Sequence, residues 1–394
     1  MQGFFPSSSV LKEQPVGLLP KCGACGLLRG CNTPQMRPHG KGRKRILIVG
    51  EFPGESEDAQ GRPFVGRSGQ FLRQSLNRIG IDLDEDAWST NSLICHPGKK
   101  GIDPRMIRYC RPNLLKTLDT LQPRVVITLG RYALSSVLQD VWKKDIGSLE
   151  RWIGWRVPLL GKYWICPLFH PSYLSHMNND MLTRFFEEQL EAACSTRKDV
   201  KPLPDWSSLI ECQLDEKKVC RALEEIEGTS DWIAYDYETT CIKPEWPLAE
   251  IVSCAVSNGR RTIAYPWVGK NIEATGSLLL SSKTRKIASN LKMEQRWTIK
   301  QFGKGTRNWG WDTMLATHAL DNRQDICSLK FQALVRLGVA EYNSSVEPYL
   351  KNVNGPYNRI KQIDKITLLH YNGMDALLEW RLARVQRRDM HYED

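Results

Sequence analysis

The run Ile46-Leu-Ile-Val49, closed by Gly50, constrains this chain more than any other stretch. Four apolar residues behind the basic segment GKGRKR have the length and pattern of a strand buried on both faces, and such strands belong to parallel sheets covered by helices. Open α/β sheets bind ligands beyond the carboxyl ends of their strands. Beyond Gly50 the chain places Glu51, the Pro53-Gly54 turn, three further acids (Glu55, Glu57, Asp58) and Phe64. A site is therefore expected to begin at Gly50, with a carboxylate, a tight turn and an aromatic ring at one strand end.

The same punctuation recurs downstream. WSTNSLIC (88–95) and RVVITL (124–129) read as strands, the second ending in Gly130 and followed by the helical RYALSSVLQ. A helix is expected over RYCRPNLLKTLDTLQ with Cys110 at its head, and the apolar stretch Tyr163 to Phe169 runs into His170-Pro-Ser172-Tyr-Leu174. A last helix spans about 179–194. At 394 residues and 41% hydrophobic content the chain has room for two domains with real cores. The polar, proline-bearing stretch STRKDVKPLPDWSS suggests the division, giving domains at 1–198 and 210–394 with a linker at 199–209.

No apolar run approaches a membrane span and MQGFFPSSSVLKEQ lacks a signal peptide's pattern, so no membrane partner and an intracellular location are expected, the host cytoplasm for a viral protein. Twelve cysteines in such a chain point to buried thiols or metal ligands rather than disulfides. Residues 1–198 carry 28 Lys+Arg against 18 Asp+Glu, whereas residues 199–394 carry 27 against 26. The first half is the polyanion-facing half.

Cys22-Gly-Ala-Cys25 puts two thiolates in reach of one metal centre. Cys95 and Cys110 are candidates to complete it, with Cys31 as an alternative. In order, GEFPGESEDAQGRPFVGRSGQ, TNSLIC, VVITLGRYAL and HPSYL resemble the family 4 uracil-DNA glycosylases, iron-sulfur members of their superfamily, over residues 18–195. The resemblance implies a three-layer α/β/α domain with a [4Fe-4S] cluster on Cys22, Cys25, Cys95 and Cys110. It also implies that Glu51 handles water and the cationic sugar and that His170 donates to the uracil oxygen. Asn91 would read uracil's edge, Phe64 would stack on the flipped base, and Gly50 and Ser172 would complete the substrate contacts. Where the family has a proline-rich turn with another active-site asparagine, this chain has HPGKKGIDP, offering Lys99 and Lys100 for phosphate. That departure keeps a second reading open, a domain that holds uracil-containing or single-stranded DNA without turnover.

In the second half Asp236 and Glu238, in WIAYDYETT, fall on one face of an expected strand. Two acids on one face suit a cation. EIVSCAVS and RRTIAYPW, separated by Asn258-Gly259, read as a hairpin. With SNLKMEQRW, WDTMLATHAL and YNGMD these pieces resemble the proofreading 3′ to 5′ exonuclease domain of family A DNA polymerases, the DEDD class with a tyrosine. An RNase H-like mixed sheet is implied. Asp236, Glu238, Glu294 and Asp375 would hold two Mg²⁺ or Mn²⁺ ions and Tyr371 would orient a water. Glu294 stands where the family has aspartate, and Asp312 is a second acid for that role. DNA is the implied partner, through uracil-bearing sites and 3′ ends, single-stranded ends above all, alongside a DNA polymerase on a separate chain.

Overall fold

The computed structural model describes residues 20–98, 101–196, 198–352 and 355–392; Lys99 and Lys100 lie outside them. The chain forms two compact units, one running to Arg156 and including Lys162–Val200, the other comprising Val157–Gly161 and the chain from Lys201.

The first sheet has strands β1 (Ile46–Gly50), β2 (Ala87–Asn91), β3 (Val125–Leu129), β4 (Val157–Leu159) and β5 (Tyr163–Leu168), in the order β2-β1-β3-β5-β4. β2, β1, β3 and β5 are mutually parallel. Their alternate residues feed two layers. Ile46, Ile48, Val125 and Ile127 share a core with Leu72, Leu76, Phe186 and Leu190 of the helices Arg67–Arg78 and Asp180–Cys194. Leu47, Val49 and Val126, equally buried, point to the other face, where the helix Arg131–Leu138 meets β1 and β3 and packs on Pro104–Leu121. The three-layer α/β/α arrangement is thus the expected one. The helix bearing Cys110 begins earlier than its apolar pattern suggested: Asp103 caps it through the Arg105 N–H at 2.8 Å and Pro104 fills its first position. β2 ends at Asn91, so Ser92, Leu93 and Ile94 separate the strand from Cys95.

The second sheet contains β6 (Ile210–Cys212), β7 (Trp232–Thr239), β8 (Ile251–Ser257), β9 (Thr262–Pro266), β10 (Arg285–Ala288) and β11 (Trp309–Asp312), in the order β11-β10-β7-β8-β9-β6. β8 runs antiparallel to β7 and β9, whereas β10 and β11 are parallel to β7. A central strand flanked by a meander and two parallel strands is the mixed sheet of the RNase H-like fold. Tyr235, Tyr237, Cys254 and Tyr265 face one core with the helices Glu216–Thr229 and Gly269–Leu280. The opposite face carries Ala234, Ala255 and Ala264 beneath the helix Lys365–Asp389. Small residues let that helix approach closely: a Cβ on Gly373 would lie 2.5 Å from Ile210 Cγ2. Among the described residues no helix is long and apolar enough to cross a membrane.

Candidate active sites

β1 has β2 on one side and β3 on the other, so a crevice opens between the carboxyl ends of β1 and β3. Glu51 leaves β1 into this crevice, and its Oε1 accepts the Tyr132 N–H at 3.0 Å, at the start of the helix after β3. Gly130 makes room for it. With φ at +93° and a virtual Cβ 2.5 Å from Glu51 Oε1, that position admits only glycine without displacing the carboxylate. Asn91 ends β2, and His170 and Ser172 follow β5. Glu51, Phe64, Asn91, His170 and Ser172 line one cavity of about 400 Å³, the size of a small-ligand pocket. Gly50 is outside that lining but lies directly against two of its side chains, with Asn91 Oδ1 and Phe64 Cζ 2.4 and 2.9 Å from a virtual Cβ.

Two of the nearby acids tie down backbone, and one of them shapes this pocket. Glu57 accepts the Gly54 N–H at 3.1 Å and the Gly66 N–H at 2.7 Å, clamping both ends of the loop that carries Phe64. Phe64 itself is buried, with a left-handed φ of +57°, a strained geometry that recurs at functional sites. Asp58 faces away from the cavity. Its carboxylate accepts the N–H groups of Asn32 and Thr33, both at 2.9 Å, and its carbonyl accepts the Thr33 hydroxyl at 2.7 Å. His96, absent from the sequence-derived set, has Nδ1 2.8 Å from the Pro53 carbonyl and fixes the turn after Glu51.

Burial raises the Glu51 carboxyl above its usual range, while the N–H groups of Tyr132 and Arg131 pull it back. Burial pushes His170 down to about 4, partly countered by the charge of Glu57. Its ring is therefore neutral near pH 7. The Ser172 N–H donates to Nδ1 at 3.2 Å and the Ser172 hydroxyl lies 2.7 Å from the same atom. Since an N–H can only donate, Nδ1 is the acceptor and the ring hydrogen resides on Nε2. Ser172 thus orients His170 as well as lining the cavity.

Cys22 and Cys25 lie on the short helix Cys22–Cys25, Cys95 follows β2, and Cys110 sits in the second turn of Pro104–Leu121. All four line a second cavity with Leu27, Leu93 and Ile94. Cys31 is outside that lining, although its charge acts on Cys95. Burial pushes the Cys95 thiol up to about 12 and raises Cys110 as well; metal coordination reverses this by deprotonating a thiol outright. Three donors are aimed at these sulfurs. Gln35 gives its N–H to Cys95 at 3.2 Å and its amide to Cys22 at 3.4 Å, and the Asn113 amide reaches Cys110 at 3.6 Å. Four convergent sulfurs, an apolar lining and N–H donors fit an iron-sulfur cluster.

In the second unit, Asp236 and Glu238 leave β7 on the face beneath the helix Lys365–Asp389, which brings Asp375 to them. Each offers a carboxylate oxygen within 4.8 Å of the others. Asn372, fully buried, donates to Asp236 Oδ2 at 2.7 Å and accepts the Ser253 hydroxyl at 2.9 Å, locking the helix to the strand. Burial raises Asp236, with Asp375 adding to it, and raises Glu238, with Asp236 and Asp375 adding. Clustered hard oxygens whose charges repel in a buried place fit divalent cations. Glu294 lies outside the group of three; burial raises its carboxyl, the charge of Asp236 adds to this, and its Oε2 is buried with no hydrogen-bond partner. Tyr371 is 5% exposed beside Asp375 and Glu238. Asp312, the alternative to Glu294, accepts the N–H groups of Asn290 (3.2 Å), Leu291 (2.9 Å), Met314 (2.8 Å) and Leu315 (3.1 Å), capping two helices. Sequence reasoning missed Asn372, Lys330, Tyr342 and Glu379 around this centre.

A family model described as the uracil DNA glycosylase superfamily matches residues 38–193. The chain is 36% identical over 176 residues to a type-4 uracil-DNA glycosylase of Thermotoga maritima, covering 44% of this chain and 88% of that protein. It is 29% identical over 172 residues to a type-4 uracil-DNA glycosylase of Saccharolobus solfataricus, covering 43% and 78%. Among solved structures, Trypanosoma brucei RNase D aligns with 16% identity and a TM-score of 0.38, over 48% of this chain and 72% of that one.

Proposed function

Because the chain belongs, through its first half, to the type-4 uracil-DNA glycosylases, we propose that it excises uracil from DNA and that its second unit degrades DNA 3′ ends. The observation that carries the first activity is the single cavity gathering Glu51, Phe64, Asn91 and His170. Breaking the base-sugar bond leaves positive charge on the sugar and negative charge on the departing pyrimidine, and groups aimed at that charge lower the barrier. Phe64 stacks on the flipped base and the Asn91 amide pairs with the uracil edge. His170, neutral with its hydrogen on Nε2, donates to the uracil oxygen as charge builds. Glu51, held by the Tyr132 N–H, faces the sugar and takes a proton from the attacking water; burial makes it a stronger base than a free carboxylate.

Cys22, Cys25, Cys95 and Cys110 would hold a [4Fe-4S] cluster, which supplies a cross-link between distant segments of the first unit. In the second unit Asp236, Glu238, Glu294 and Asp375 would hold Mg²⁺ or Mn²⁺ ions, which when bound supply water activation and leaving-group stabilisation. Asn372 fixes Asp236, and Tyr371 orients the attacking water from beside Asp375. A single strand reaches such a centre without melting, so unpaired 3′ ends are the preferred substrate, and DNA synthesis is the process such trimming would accompany. The test is release of uracil from a uracil-bearing oligonucleotide by the full chain without added metal, followed by 3′ shortening when Mg²⁺ is supplied. If uracil DNA binds and the base stays intact, the first unit is a binding module.

A further inference from the structure

The acidic centre contains one acid more than the motif that locates it, and a lysine besides. Glu379 lies one helical turn beyond Asp375 and is 2% exposed. Its Oε1 accepts the Ser289 N–H at 3.2 Å, whereas Oε2 is buried with no partner. Glu379 follows Asp375 by four residues and so shares its face of the helix; burial raises its carboxyl, and the charges of Asp236, Glu294 and Asp375 add to this. Lys330 comes from the separate helix Leu329–Leu337 and places Nζ 2.6 Å from Asp375 Oδ2, over the rings of Tyr371 at 4.9 Å and Tyr342 at 5.6 Å. The Tyr342 hydroxyl donates to the other Asp375 oxygen.

Resting on the nuclease reading, we propose that Lys330 and Glu379 are opposed positioning residues that set the net charge of the centre and, through it, the affinity for divalent cations. Asp236, Glu238, Glu294, Asp375 and Glu379 carry five negative charges when ionised, and two divalent cations with one ammonium balance them. Four acids and two divalent cations balance without help, so the extra acid and the lysine belong together. Two oxygens buried without partners, Glu294 Oε2 and Glu379 Oε2, are costly unless positive charge compensates them. A lysine held on Asp375 opposes an incoming cation by direct repulsion, and the charge of Glu379 offsets that repulsion.

Mn²⁺ binding to the full chain, read from the resonance of free Mn²⁺, tests this. At a few ångströms, removing one unit charge changes cation binding by at least about tenfold. Lys330→Met therefore binds Mn²⁺ more tightly by that factor, Glu379→Gln more weakly, and the double variant lies between them near wild type. Additive damage, with the double variant weaker than Glu379→Gln, overturns the proposal. So does unchanged Mn²⁺ affinity in a Lys330→Met protein that melts normally. If Lys330→Met does not fold, Glu379→Gln decides alone, and wild-type affinity there overturns it. Asp236→Ala separates the two readings: should it bind Mn²⁺ like wild type, the nuclease reading falls and this proposal with it. If it loses Mn²⁺ while the Lys330 and Glu379 variants behave as wild type, only the charge pair falls.

Discussion

Replacing Gly50 by alanine adds one methyl group against Asn91 and Phe64, two side chains of the first cavity, and changes no proposed reacting side chain itself. The Gly50 backbone is outside the left-handed region, so the change carries no backbone strain and acts by volume alone. The added Cβ would lie 2.4 Å from Asn91 Oδ1 and 2.9 Å from Phe64 Cζ. Ordinary contact begins near 3.4 Å, so the Asn91 amide must move by about 1 Å and the ring by about half that. Overpacking of this size costs about 1–3 kcal/mol of stability, within the margin of an ordinary domain. A 1 Å misplacement of a positioning group costs about 100-fold in rate, or about 2.7 kcal/mol. The assay is single-turnover release of uracil from a labelled duplex, with binding measured on an oligonucleotide carrying a non-cleavable uracil analogue. Folding is followed by thermal melting. We expect a folded protein whose release step is slowed about 100-fold and whose 3′ degradation is unchanged. Release within about threefold of wild type in a folded variant would refute the placement of Asn91 and Phe64 against the base.

Glu51→Gln and His170→Ala should slow uracil release far more than they weaken DNA binding, because both act on charge present only in the transition state; equal losses in both would contradict that role. His170, held to about 4, stays neutral where a free imidazole titrates, so release at saturating DNA should show no inflection near pH 6.5. Because the unfolded chain takes up this proton first, stability present above about pH 6.5 is lost as pH falls toward 4, by up to about 3 kcal/mol, and His170→Asn should flatten that slope in urea melts. Anaerobically purified protein should carry about four irons, and Cys95→Ala should lose both the iron and the stability of the first unit; iron-free, colourless wild type would sink the ligand assignment. Asp236→Ala should abolish metal-dependent 3′ degradation and spare uracil release, and Glu294→Asp should retain cleavage. Asp312→Ala should cost about 1–4 kcal/mol through its two caps while the folded fraction remains active; a dead but fully stable Asp312→Ala would exchange the roles of Asp312 and Glu294.

Period and punctuation carried most of what could be read before the structure. Asp236 and Glu238 share a face because a strand repeats every two residues, and Glu51 stands at a strand end because Gly50 terminates an apolar run. Glu379 had a readable signal that went unused: Tyr371, Asp375 and Glu379 are spaced by four on one helix face. Lys330 and Tyr342 had none, since their approach to Asp375 is made by tertiary packing of separate segments. Glu57 and Asp58 were visible as acids near the pocket, but composition cannot tell a carboxylate that faces a ligand from one that ties backbone N–H groups. The capping by Asp312 was illegible for the same reason, as its partners come partly from another helix. The start of the Cys110 helix was legible in Asp103-Pro104, a cap and first-position pair that the apolar pattern alone overlooks.

Asp58 has a consequence of a different kind. Its carboxylate and carbonyl grip Asn32 and Thr33, and two residues further on Gln35 bonds the sulfurs of Cys95 and Cys22. The helix bearing Asp58 also carries Glu57, which sets the loop of Phe64. Sulfur cage and base pocket therefore share one short train of hydrogen bonds, most of them made to backbone, with little slack to absorb movement. A chain wired this way has no inexpensive route to fray at one end alone, so local opening around the cysteines and loosening of the aromatic wall form a single cooperative event.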